Sequence, residues 1–457
     1  MAIATVDPTT GQTLKTFEAL TDAELEERLA RSAAAFTAYR RTTYDQRATW
    51  CRAAADLLDA DTEHVAEIMT TEMGKTLAAS RAEVGKCVVG LRFYAEHTPA
   101  MLADVPADAT AVKATRAYTR YQPLGPVLAV MPWNYPLWQA MRFAAPALMA
   151  GNVGLLKHAS NVPQTALYME ELFRRAGFPA DVFQTLLVGA DKVETILRDK
   201  RVVAATLTGS TPAGKAVAAL AGEELKPTVL ELGGSDPFVV MPSADLERAA
   251  QVATTARCQN NGQSCIAAKR FLVHDAVYDE FAALFATALQ AQVLGDPREE
   301  GTKIGPLATK QGRTDIEELV ADAVDKGARV LVGGRCPDGP GWFYPATLIE
   351  GLTPEMRLYD EEAFGPVAAL FRVGSLEEAI ELSNATVFGL GSNIWTTDPA
   401  EAERFVDDVE AGMVFVNGMT TSYPELPFGG VKTSGYGREL SDLGIKEFCN
   451  AKTVWMA

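Results

Sequence analysis

Apolar and polar positions change their rhythm near residue 119. Before it, Thr21-Asp22-Ala23-Glu24 opens a long Ala-, Glu- and Arg-rich stretch, with Thr21 as a helix cap and an acidic first turn. Leu25, Leu29 and Ala33 continue one face at helical spacing. Two more helical stretches are predicted over 44–72 and 77–96, so the first hundred residues read as helical.

From Thr119 the chain alternates strands with short helices. Residues 125–131, Gly-Pro-Val-Leu-Ala-Val-Met, form an apolar run bounded by turn residues, as a buried parallel strand requires. A helix over 138–150, a strand over 153–157, a helix over 163–176 and a strand over 182–188 follow. A strand over 204–208 then feeds Gly209 and a helix ending at Ala221. This alternation predicts a doubly wound α/β domain. A second α/β pattern begins after Gly233-Gly234, with helices at 246–257, 278–293, 311–326 and 376–385 and strands at 270–273 and 329–332. Neither repeats nor low-complexity linkers interrupt it.

At 457 residues the chain is long enough for two or three cores. Lys and Arg number 42 against 59 Asp and Glu, a net charge of −17. That balance argues against nucleic acid or an anionic membrane as a partner. Six scattered cysteines without a CxxC pair and four isolated histidines predict neither a disulfide scaffold nor a metal site. The first residues lack the basic and apolar regions of a signal peptide, and apolar runs such as 127–133 are too short to span a bilayer. The expectation is a reduced, cytoplasmic enzyme.

Four segments carry candidate chemistry. Cys265 lies in the small polar stretch Asn260-Asn261-Gly262-Gln263-Ser264-Cys265, and a thiolate is a strong nucleophile, although a lone cysteine is more often an inert core residue. Glu231, in Leu230-Glu231-Leu232-Gly233-Gly234, sits in an apolar strand end, where burial would make it a better base. Asn134 follows the strand at 125–131 and offers an amide donor to an oxyanion, or simply a turn. Gly209-Ser210-Thr211-Pro212-Ala213-Gly214 opens a helix whose free amides suit a phosphate, without matching a known phosphate-loop pattern.

Singly weak, these segments occur in a specific order. Pro-Trp-Asn, Lys-x-Ala, Thr-Gly-Ser, Glu-Leu-Gly-Gly, Gly-Gln-x-Cys, Glu-x-Phe-Gly-Pro and Pro-Phe-Gly-Gly-x-Lys-x-Ser-Gly together resemble the aldehyde dehydrogenase superfamily. The resemblance runs from Asp7-Pro8-Thr9-Thr10-Gly11 to the tail at 449–455. It implies a Rossmann-like cofactor domain (1–104 and 124–233), an α/β catalytic domain (234–432) and a small β oligomerisation segment (105–123 and 433–457). A tail strand over 448–455 would pair with a hairpin near 112–122 and build a homodimer or homotetramer.

The resemblance also implies roles. Cys265 would attack the aldehyde, with Asn134 and the Cys265 backbone N–H as oxyanion hole, and Glu231 would activate the water that hydrolyses the thioester. No placed histidine supports a Cys-His hydrolase instead. Trp133, Asn134, Lys157, Ser160, Gly209, Ser210, Leu232 and Glu362 would border the cofactor. Many NAD-preferring relatives carry an acidic residue where Ser160 stands, so NADP is the expected cofactor, with NAD as the alternative. His158 stands where a proline is common. Arg142 matches an arginine that binds the distal carboxylate in succinate-semialdehyde dehydrogenases, the bacterial NADP-dependent branch that this chain resembles, and Ser422 would add a hydroxyl. A second arginine of such enzymes is replaced by Gln259, and a second cysteine by Ala267. The expected reaction is succinate semialdehyde to succinate. The alternatives are another small aldehyde, such as glutarate semialdehyde, and a catalytically silent binding protein with the same fold.

Overall fold

The computed structural model describes residues 2–457. Two large sheets and two small ones organise the chain. The first large sheet has the order Gly435–Tyr436, Thr228–Glu231, Ala204–Thr208, Pro126–Met131, Val153–His158, Phe183–Thr185. Its strands run parallel apart from Gly435–Tyr436. From Pro126–Met131 the chain winds outward to Val153–His158, then returns to Ala204–Thr208 on the other side. The strand order therefore reverses beside Pro126–Met131, and such a switch point leaves a crevice at the strands' carboxyl ends.

The second sheet has the order Arg329–Val332, Thr347–Glu350, Val367–Val373, Ala268–His274, Asp236–Val240, Gly391–Trp395, Met413–Val416. Only Arg329–Val332 is antiparallel. Helices cover both large sheets, so the central strands are buried on both faces, as their continuous apolar runs require. Helix Trp138–Ala150 is buried at every position, wedged between helix Leu77–Met101 and the first sheet.

The tail strand Cys449–Met456 pairs antiparallel with Arg116–Pro123, residue for residue, and Val105–Pro106 completes a three-stranded sheet. The hairpin expected near 112–122 thus lies between Val105–Pro106 and Arg116–Pro123. The tail segment expected to begin at 433 first lends Gly435–Tyr436 to the large sheet.

Several boundaries differ from the expected ones. The opening residues are not helical but form a hairpin, Ile3–Asp7 with Gln12–Phe17, turned by Gly11 at φ +74°. The single helix expected over 44–72 is two, Tyr44–Ala60 and Thr62–Met73, broken at Asp61. The Asp61 carboxylate accepts from Tyr168 Oη at 2.8 Å and Arg175 Nη1 at 2.6 Å, so a distant helix holds the break. Helix Asp22–Tyr39 begins as predicted, with a reciprocal cap between Thr21 and Glu24.

Candidate active site

The loop carrying Cys265 is held in a conformation that few sequences tolerate. Asn260, Asn261 and Gly262 all have left-handed φ values of 55°, 58° and 75°. A Cβ on Gly262 would lie 2.4 Å from the Gly365 carbonyl carbon, so only glycine fits. Asn261 fastens the bend by donating to Gly74 O and Pro306 O and accepting from Gly305 N. Lys269 Nζ donates to Ser264 O and Cys265 O, both at 2.9 Å. Gly234 makes room for this approach, since a Cβ there would stand 2.5 Å from Cys265 O.

Two cavities meet at Cys265. One, of about 290 Å³, opens at the switch point of the first sheet and is lined by Trp133, Asn134, Gly209, Ser210, Leu232 and Glu362, among others. Six of the eight predicted cofactor residues are thereby brought together. Ser210 caps helix Thr211–Glu223, whose amide end faces a phosphate-sized ligand favourably. The buried Thr208 hydroxyl on the cavity wall has no partner among the described residues. Trp133, edge-on to Phe364 at 5.8 Å between centroids, supplies an aromatic wall, and Glu362 is held by Lys269 at 3.2 Å and by the Gly234 N–H. A polar, amide-rich end and an apolar end fit a dinucleotide.

Lys157 and Ser160 lie outside that cavity wall. Lys157 is buried at the end of Val153–His158, forms no ion pair among the described residues, and has its pKa lowered by burial. Ser160 is half-buried beyond it, its carbonyl accepting from Ala4 N of the first strand. His158 is bonded at both ring nitrogens, to Pro136 O at 2.7 Å and Ala159 N at 2.9 Å. Burial pushes its pKa down to about 4, so the neutral ring donates to Pro136 O and accepts from Ala159 N.

The other cavity, of about 250 Å³, is lined by Lys86, Trp138, Arg142, Ser422 and Phe428 among others, with Cys265 and Gln139 shared between the two. Gln259, where the second arginine was absent, is also on its wall. Arg142 is buried and ion-paired with Glu439, and its guanidinium lies 4.2 Å from the Phe428 ring centroid. The Ser422 hydroxyl accepts from Lys86 Nζ at 2.6 Å and Trp138 Nε1 at 3.1 Å.

Asn134 lies beside Cys265, its Nδ2 donating to Gln263 O at 3.1 Å while Asn260 donates to its carbonyl. One amide hydrogen of Asn134 remains, and the Cys265 N–H has no partner among the described residues. Both are thus free to serve an oxyanion. Glu231 is placed differently. Its carboxylate is buried, lines neither cavity and has no hydrogen-bond partner among the described residues. Burial raises its pKa first, the Glu439 charge second, while Arg142 and Arg438 oppose. Burial also pushes the Cys265 thiol up to about 12, with Arg142 and Lys269 drawing it down and Glu231 adding to the rise.

Lys86 and Glu439 were not foreseen from sequence. The helix carrying Lys86 does show a signal, since Glu83, Cys87 and Gly90 form its buried face and Lys86 adjoins it. Nothing local points to Glu439, which follows a glycine-rich bend.

A switch-point crevice meeting a thiol at the wall of a second cavity is a layout suited to an oxidoreductase that joins a nucleotide cofactor to a cysteine nucleophile. The chain belongs to the aldehyde dehydrogenase family, which it matches over residues 1–454. It is 62% identical over all its 457 residues to the protein of Mycobacterium avium (strain 104) named succinate-semialdehyde dehydrogenase (NADP+), covering 97% of that protein. It is equally similar to succinate-semialdehyde dehydrogenase (NADP+) 1 of Mycobacterium tuberculosis (strain H37Rv), with both chains fully covered. Among solved structures, succinic semialdehyde dehydrogenase from Streptococcus pyogenes in complex with NADP+ superposes with a TM-score of 0.97 at 38% identity over the whole of both chains.

Proposed function

We propose that the protein oxidises succinate semialdehyde to succinate with NADP. The observation that carries this reading is the position of Cys265, where a dinucleotide-shaped crevice meets a cavity lined by cations. The relatives named for this substrate and cofactor, at 62% identity, support it.

Cys265 gives up its thiol proton to water and its Sγ adds to the aldehyde carbon, with Asn134 Nδ2 and the Cys265 N–H donating to the oxygen as it gains charge. NADP, when bound, supplies the acceptor for the substrate's hydride. Trp133, Gly209, Ser210, Leu232 and Glu362 would hold it, and Lys157 with Ser160 would receive its adenosine ribose and phosphate. Glu231, once its carboxylate turns toward Cys265, takes a proton from water, which attacks the thioester and frees Cys265. The first sheet acts as the cofactor domain and the second as the catalytic domain. The strand Cys449–Met456 joins copies of the chain into a homo-oligomer. The six unpaired thiols suit a reducing cytoplasm, and among the described residues no helix is long and apolar enough to cross a membrane.

The test is growth of reduced-cofactor absorbance with succinate semialdehyde and NADP, repeated with Cys265→Ala. Turnover by the parent and none by the variant is expected. An inactive parent across small aldehydes would favour the silent-fold alternative.

A further inference from the structure

Lys269 opens strand Ala268–His274, and its side chain reaches back beneath the turn that carries Cys265. The ammonium is buried and meets Ser264 O and Cys265 O at 2.9 Å each, Ala267 O at 3.2 Å and Glu362 Oε1 at 3.2 Å. All four neighbours are acceptors. They suit an ammonium with its three hydrogens, whereas an uncharged amine would turn a lone pair toward oxygen. A buried charge persists only where it is paired in this way. Burial lowers the Lys269 pKa, and the Glu362 charge opposes that fall.

The bond to Ser264 O bears on the oxyanion hole. That carbonyl belongs to the same peptide unit as the Cys265 N–H, and a planar trans peptide sets C=O and N–H in opposite directions. Ser264 O also accepts from Ala267 N at 3.2 Å, which closes a tight turn with Cys265 at its second position. Both lone pairs of Ser264 O are therefore used, and the peptide plane cannot rotate without losing two bonds. The Cys265 N–H is thereby held pointing away from Lys269. A cation on the carbonyl also polarises the amide, which makes its N–H a stronger donor, and low local dielectric leaves that effect little screened. The other oxyanion donor, Asn134 Nδ2, is anchored by a neutral bond to Gln263 O.

We propose that Lys269 is a positioning residue for the oxyanion. It fixes and polarises the Ser264–Cys265 peptide, so that the Cys265 N–H is preset to receive the charge that develops on a carbonyl oxygen. This rests on the reading of Cys265 as the nucleophile and of its N–H as an oxyanion donor, and is independent of which aldehyde is oxidised.

The test needs no cofactor and compares two reactions of Cys265 at one pH, each located by mass spectrometry. With iodoacetamide, Sγ bonds to carbon as iodide leaves, and no oxyanion forms. With p-nitrophenyl acetate, Sγ adds to the ester carbonyl, and the resulting oxyanion collapses to acetyl-Cys265 with loss of p-nitrophenolate. Both reactions start from the same thiolate, so its population cancels in the ratio of the two rates. Lys269→Met should slow acetyl transfer about tenfold more than alkylation, a part of the roughly hundredfold or greater loss that follows outright removal of an oxyanion donor. Lys269→Gln keeps a neutral donor and should fall between the parent and the methionine variant, and it carries the comparison if methionine unfolds the turn. Equal slowing of both reactions would reduce Lys269 to packing or to support of the thiolate, and an unchanged rate of acetyl transfer would remove it from the site. Either result overturns the proposal. A parent alkylated at Cys265 but never acetylated would overturn the oxyanion hole and the role of Lys269 together. A parent that is acetylated but inactive with succinate semialdehyde would overturn the substrate reading alone.

Discussion

The Glu83 carboxylate holds together one wall of the cavity beside Cys265 that also carries Arg142 and Ser422. One oxygen faces the buried Lys75, while the other accepts from Leu137 N at 2.9 Å and Trp138 N at 2.8 Å. Those amides open the helix that carries Gln139 and Arg142, and Lys75 Nζ lies 4.4 Å from the ring centroid of Tyr135, next to Asn134. Replacing Glu83 with Gln keeps an acceptor of similar shape but removes the charge. Lys75 is then left buried with no counter-ion, at a cost of about 3–5 kcal/mol. The two amide bonds also weaken, because a charged acceptor is roughly twice as strong as a neutral one. Glu83→Gln should therefore lower the stability of this region and speed hydrogen exchange at Leu137 and Trp138. The double variant Lys75→Met/Glu83→Gln should recover much of the loss, since the orphaned charge is gone. Local exchange measured on the parent, both single variants and the double variant gives the coupling directly. A Glu83→Gln cost below about 1 kcal/mol, the scale of an ordinary neutral hydrogen bond, or a double variant no better than the single one, would refute the reasoning.

Three further outcomes follow from the same geometry. Ser160→Glu places a carboxylate beside Lys157, and should lower the kcat/KM ratio for NADP over NAD about 10–100-fold through repulsion of the 2′-phosphate; an unchanged ratio would remove Ser160 from cofactor selection. Hydrolysis of the Cys265 thioester, followed in single turnovers, should rise with pH through the raised pKa of Glu231, because only its ionised form is a base. Glu439→Gln deletes the neighbouring like charge and should move that rise to lower pH; a shift upward would contradict the assignment. The same raised pKa makes Glu231's contribution to stability largest below the unfolded carboxyl pKa, and lost as pH climbs through the folded one. Thr453→Pro deletes a backbone N–H at the outer edge of the tail strand, and should reduce the molecular mass seen by light scattering if this strand joins subunits; an unaltered mass would place the interface elsewhere.

Much of the architecture could be read before the structure because its strands are buried on both faces. The run at 126–131 can hardly be anything but a central parallel strand, and its neighbours at 153–158 and 204–208 carry the same signal. Local capping chemistry placed the start of helix Asp22–Tyr39 at Thr21. The opening hairpin escaped notice because its second strand, Gln12–Phe17, is almost wholly exposed and lacks an apolar run. The break at Asp61 was hidden because its partners, Tyr168 and Arg175, lie more than a hundred residues away.

The site divides in the same manner. Cys265 and the bend before it are marked by residue type, since left-handed backbone and close approach demand Asn and Gly, and those demands are written locally. Pairing of charges is not local. Arg142 meets Glu439 across nearly three hundred residues, and Lys86 meets Ser422 across still more. Which cation stays free for a substrate depends on which carboxylates the fold has already brought to the others. An ionic interaction depends on distance and desolvation, and both exist only after the sheets and helices have packed. The residue order along the chain therefore identified the family and singled out Cys265 as the candidate nucleophile, while the packed structure determined where the cavity keeps an unneutralised positive charge.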